Sequence, residues 1–157
     1  VIYTGIDPGK QGGVCRIFPE NFLSIAYFSK NDSPLVHGLD ELIYMEKVGP
    51  RPNQSAISGW TFAVAVGRLE GMLKAWSKPI NYVLPQVWQK ELGLYGITSG
   101  MTFKSNDAEK RYRKKKYQEY AINTFPKYEK QITLEVADAV CIAIYAKLVS
   151  ERKEFDI

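Results

Sequence analysis

Four acidic residues stand where carboxylates are uncommon. Asp7 closes an apolar, β-branched run and precedes Pro8-Gly9. Glu46 follows Leu42-Ile43-Tyr44-Met45. Glu135 and Asp138 are three residues apart among Val136, Ala137, Ala139 and Val140, a spacing that places both on one face of a helix. Carboxylates in apolar surroundings are costly unless something compensates them, and a divalent cation does so. Mg²⁺ takes hard oxygen ligands, keeps several waters and needs few protein carboxylates. Two such ions roughly 3.5–4 Å apart clamp the attacking and leaving oxygens of a phosphodiester. Acids from three separate segments suffice for that chemistry, with Asp7 the candidate to bridge both ions. Each acid also has a plainer reading. Asp7 suits a turn in Asp-Pro-Gly, Glu46 suits an ion pair at a strand end, and Glu135 suits the start of a helix. Asp138 resists such a reading most, because Asp is a poor helix former in an apolar setting.

Positive charge is concentrated elsewhere. Between residues 104 and 120 lie Lys104, Lys110, Arg111, Arg113, Lys114, Lys115 and Lys116, against Asp107, Glu109 and Glu119. The whole chain carries a net charge of +4, so this window accounts for the excess. A basic stripe is the footprint of a polyanion-binding face; the plainer alternative is a solvated helix face. Tyr112, Tyr117 and Tyr120 interleave the stripe. They suit either base stacking or core packing, and packing is the stronger reading for Tyr117 and Tyr120. Trp60 and Trp88 are expected in the core.

The elements that must position these groups follow from periodicity and punctuation. Residues 1–6, 14–18 and 22–28 predict three strands on short connections, an antiparallel meander. Residues 41–48 predict a fourth strand and residues 80–84 a fifth. Residues 29–38 and 49–54 are loops by composition. Residues 55–76 predict a helix with Ala56, Gly59, Ala63, Gly67 and Gly71 on one side. That stripe would let the sheet or a second subunit approach closely. Residues 85–92 predict a short helix with Pro at its first turn. Residues 93–105 form an irregular segment expected to be mobile. Residues 106–124 predict a helix stopped by Pro126, and residues 133–151 the last helix, on the period of Val136, Val140, Ala143, Ile144 and Leu148. The pattern predicts an α/β fold: a mixed five-stranded sheet flanked by helices.

The 157 residues predict one domain spanning the chain. No apolar run approaches a membrane span, and strand-like sequence from Val1 gives the expectation that no signal peptide precedes the fold. Cys15 and Cys141 sit in apolar runs, which predicts buried free thiols and an intracellular setting. Two cysteines and one histidine, His37, cannot supply a four-ligand Cys/His zinc site.

An ordered set of motifs resembles a known family. Gly5-Ile6-Asp7-Pro8-Gly9 with Gly12-Gly13 resembles the first-strand motif of RuvC-type Holliday junction resolvases. Tyr44-Met45-Glu46-Lys47 resembles their second acidic motif, and Ala137-Asp138-Ala139 their third. The stretch from Pro85 through Trp88 and Lys90 to Gly93-Leu94 is similar to one in phage resolvases and the related plant organellar resolvase. Thr124-Phe125-Pro126 resembles the Leu-Phe-Pro that closes the preceding helix in that branch. The chain departs from the pattern ahead of Asp138, with Glu135 where RuvC proteins often have His and Leu134 where the phage branch often has Asp.

The resemblance implies a ribonuclease H-like fold and a homodimer that nicks opposed strands of four-way DNA with Mg²⁺ or Mn²⁺. It implies Asp7, Glu46, Glu135 and Asp138 as metal ligands and Lys114 near the scissile phosphate, or Lys115 or Lys116 if the register slips. Helix 55–76 would lie at or near the dimer interface. The loop 49–54 would reach the junction centre through Arg51, Asn53 and Gln54, with Lys47 and the basic residues 104–116 on the DNA backbone. A phage-encoded enzyme of this kind would act in the host cytoplasm. Two rival readings stay open: a ribonuclease H-like nuclease acting on flaps, branched DNA or RNA–DNA hybrid, and a junction-binding protein without catalysis. The Gly-x-Asp-x-Gly opening also occurs in actin-like sugar kinases, whose duplicated domain this chain is too short to hold.

Overall fold

β-Branched and aromatic residues open the chain as β1 (Ile2–Asp7), with β2 (Gly13–Ile17) and β3 (Leu23–Tyr27) following in an antiparallel meander. The computed structural model describes residues 1–9, 11–30, 40–49 and 54–155, with side chains as far as residue 152. β4 (Glu41–Glu46) lies parallel beside β1, and β5 (Ile80–Val83) parallel beside β4. The sheet is mixed and five-stranded, in the order β3-β2-β1-β4-β5. Among the described residues four α-helices complete the α/β fold: α1 (Ala56–Ala75), α2 (Pro85–Glu91), α3 (Asn106–Thr124) and α4 (Ala137–Phe155). Ser55 and Ser105 cap α1 and α3, each hydroxyl accepting a backbone N–H three residues on. Such a cap contributes about 1 kcal/mol.

Alternation along the strands divides the core into two layers. On one face Ile6, Val14, Ile43 and Met45 pack against Leu69 and Leu73 of α1. The same face carries a buried polar group. Arg16 Nε donates to Glu41 Oε1 at 2.9 Å, and the Thr4 hydroxyl donates to the same oxygen. On the other face Cys15, Ile17, Tyr3 and Tyr44 pack against α4, whose residues 139–144 are all buried. Both cysteines are free and buried, as expected.

The contact between β1 and α4 is unusually close, and Gly5 is its cause. A Cβ at Gly5 would lie 2.2 Å from the Ala139 carbonyl oxygen and 2.2 Å from the Ala143 nitrogen. Glycine on the strand and two alanines one turn apart on the helix bring the two backbones together.

Several expectations need correction. The helical ladder of α4 starts where Val140 N–H meets the Val136 carbonyl at 3.0 Å, so Glu135 lies in the preceding turn, not on the helix. That turn is held by the buried side chains of Ile132 and Val136 and by Gln118, whose amide donates to the Ile132 carbonyl. Trp60 is 75% exposed rather than in the core, because α1 reaches the sheet only through its later turns. The sheet is not what the small residues of α1 approach: a Cβ at Gly67 or Gly71 meets nothing within 4 Å. In the irregular segment before α3, Leu94 is buried and the Thr98 hydroxyl donates to Glu109. His37, Arg51 and Asn53 lie outside the described residues.

Candidate active site

β1 and β4 run parallel with Ile6 beside Met45. Asp7 and Glu46 are therefore the last residues of adjacent strands, at the same edge of the sheet. Alternation turns both toward the face that α4 covers. The close passage of α4 over Gly5 then sets Asp138, in its first turn, beside Asp7. Lys114 comes from α3, where it shares a stripe with buried Tyr117 and Ala121 at helical spacing. Its ammonium stands 3.2 Å from Asp138 Oδ1 and 3.9 Å from Asp7 Oδ2.

The remaining oxygens are partly committed. Asp7 Oδ1 accepts the Gly9 N–H at 3.2 Å, so Asp7 takes part in the turn while its other oxygen faces Lys114. Glu46 Oε1 accepts the indole N–H of Trp88 at 3.1 Å. Trp88 is fully buried and meets Tyr117 edge-on, with ring centroids 5.1 Å apart.

Among the described residues one ammonium faces three carboxylates, which leaves these groups short of positive charge. Burial and the neighbouring charge of Asp7 push the Glu46 carboxyl up to about 7, against the Trp88 hydrogen bond and Lys114. Burial raises Asp138 to about 6, opposed by Lys114 and reinforced by Asp7. Lys114 is held above the usual lysine range; burial works against its charge, but the carboxylates of Asp138 and Asp7 together outweigh it. Acids raised by burial and by one another's charge mark a candidate functional site.

The donor set fits Mg²⁺ or Mn²⁺. All three acids offer hard oxygen, and three elements deliver them to one end of the sheet. Among the described residues no trio of His, Cys, Asp or Glu is already gathered at ligand spacing. Mg²⁺ does not require one, since one or two carboxylates and waters satisfy it.

Glu135 makes a contact of its own outside the cluster. Its Oε2 accepts from the Ser29 hydroxyl at 3.0 Å, and it lines a surface depression with Lys30, Lys130 and Gln118. The charges acting on Glu46 are those of Asp7, Asp138 and Lys114. Of the three candidate lysines, Lys114 alone points to the acids. Lys115 is exposed, and Lys116 pairs with Glu119 at 2.7 Å and lies over the Tyr112 ring. Lys104, Lys110, Arg111 and Arg113 are exposed on or just before α3, with Arg113 4.0 Å from Glu109. Lys47 is exposed directly beyond Glu46, and Gln54 sits before α1 with its amide toward Ser58. Tyr112 packs against Phe103. Trp88 was the residue whose contact with the site sequence reasoning missed. Its advance signals were its place in the stretch from Pro85 to Leu94 and in a short Pro-initiated helix directly after β5.

No protein-family model matches the chain, and no curated protein shows detectable sequence similarity to it. Among the described residues no helix is long and apolar enough to cross a membrane.

Proposed function

We propose that the chain is a ribonuclease H-like, metal-dependent endonuclease acting on branched DNA, with the four-way Holliday junction as its best-fitting substrate. The observation that carries this reading is the convergence of Asp7, Glu46, Asp138 and Lys114, from four separate elements, at one sheet edge. The ordered resemblance to RuvC-type resolvases narrows the substrate to a junction.

Bound Mg²⁺ or Mn²⁺ supplies Lewis acidity and a nucleophilic water at neutral pH. Asp7, Glu46 and Asp138 would hold it, with Glu135 a further candidate by its sequence position, three residues before Asp138. Lys114, beside Asp7 and Asp138, would be placed to neutralise charge developing on a phosphate oxygen. The exposed bases of α3 track the DNA backbone. A two-fold substrate calls for two sites, hence a homodimer. The uncovered part of α1, with Ile57 81% and Trp60 75% exposed, supports that assembly.

The test is cleavage in Mg²⁺ of a labelled four-way junction beside duplex, flap and RNA–DNA hybrid. Paired symmetric nicks confined to the junction are expected. Equal cutting of flap or hybrid would keep the nuclease and remove the resolvase. Binding without cutting would leave a junction-binding protein.

A further inference from the structure

We infer that Trp88 is a positioning residue for the acidic site: its indole N–H, donated to Glu46 Oε1, orients the carboxylate so that Oε2 is the oxygen left for a cation. The inference rests on the metal-dependent reading above and adds to it the group that aims one of its ligands.

The placement follows from the fold. Val83 is the register partner of Glu46, and α2 starts at Pro85, two residues further on. One turn into α2, Trp88 therefore lies beneath the strand end that carries Glu46. The indole has no freedom to turn away: it is fully buried and its ring is fixed edge-on by Tyr117 at 5.1 Å. Indole nitrogen donates and never accepts, so its natural partner here is a carboxylate oxygen. Rotation of Glu46 away from it would strand a buried donor. Packing alone does not account for the contact, because a phenyl ring fills most of the same space without the N–H. Groups that orient a ligating carboxylate in this way typically change metal affinity by about 10–100-fold when removed.

Calorimetric titration of Mn²⁺ into the full chain tests this, comparing the unaltered protein with Trp88→Phe, Asp7→Asn and Ile17→Val. Ile17 belongs to the same core but lies on β2, two strands from β4. Trp88→Phe is expected to weaken Mn²⁺ binding by about 10–100-fold, while Ile17→Val lowers stability and leaves affinity in place. Affinity of Trp88→Phe within twofold of the unaltered protein overturns the role while the metal site stands. If the unaltered protein and Asp7→Asn titrate alike, the acids hold no metal, and the reading beneath the inference falls with it.

Should Trp88→Phe not fold, a spectroscopic arm decides. With Trp60 and Trp76 both replaced by Phe, the one remaining indole N–H proton is that of Trp88. Saturating Mg²⁺ is expected to move its resonance. A resonance unmoved while calorimetry records binding overturns the inference.

Discussion

Glu46 and Asp138 sit at the edge of ionisation. Their folded-state values, about 7 and about 6, lie above the ordinary 4.5 and 3.8, so folding takes up protons over that window. The stability this contributes is full below the ordinary values and is lost as pH rises through about 6 and then about 7. In metal-free buffer the Glu46→Gln variant, neutral at every pH, is expected to show the flatter thermal profile. It should be the more stable protein near about pH 8. Mg²⁺ should raise the melting temperature of the unaltered protein more at that pH than near about pH 5.5. A Glu46→Gln profile parallel to that of the unaltered protein is the contrary result. Asp7, Glu46 and Asp138 were legible in the sequence because each stands in apolar surroundings. Trp88 was not, because its partner is 42 residues away and only the strand register brings them together. For Glu135 the helical spacing to Asp138 does not apply, because α4 begins after it.

At the scale of elements, the site depends on how closely α4 lies on β1. Gly5→Ala puts a methyl carbon within 2.2 Å of helix backbone, where no flexible side chain can yield. Overpacking of this kind costs about 1–3 kcal/mol or more, which for a chain of this size lowers the melting temperature by several degrees, at about 2–4 °C per kcal/mol. Cleavage should fall further than stability alone dictates, because Asp138 moves with α4. Thermal melts and cleavage rates measured beside Ile17→Val separate the two effects. Equal stability of Gly5→Ala and the unaltered protein contradicts the packing account. Strands and helices were readable from alternation, the helical period and Pro or Ser punctuation. The side of α1 was not. Its small residues signalled close approach to something, and the exposure of Trp60 shows that within one chain the sheet does not fill that place.

Over the whole molecule, the basic excess is carried on and beside α3, next to the acids rather than spread over the surface. DNA affinity should therefore fall steeply with salt. Lys110→Ala and Arg111→Ala should each weaken binding for all sequences alike and lower the slope of log affinity against log salt by about 1. Fluorescence anisotropy across a salt series measures it, and an unchanged slope removes those residues from the interface. Sedimentation of the free protein tests the proposed homodimer: a two-fold mass is expected, and a monomer at all concentrations contradicts it.

The most direct measurement compares the unaltered protein with Asp7→Asn on a labelled four-way junction in Mg²⁺, scoring binding and cleavage on the same substrate. On the proposed metal-dependent reading, loss of the Asp7 carboxylate forfeits several kcal/mol of transition-state stabilisation, so cleavage should drop by about a thousandfold or more while binding persists. Cleavage by Asp7→Asn at the rate of the unaltered protein would contradict the account, as would an unaltered protein that binds the junction but cuts it in neither Mg²⁺ nor Mn²⁺.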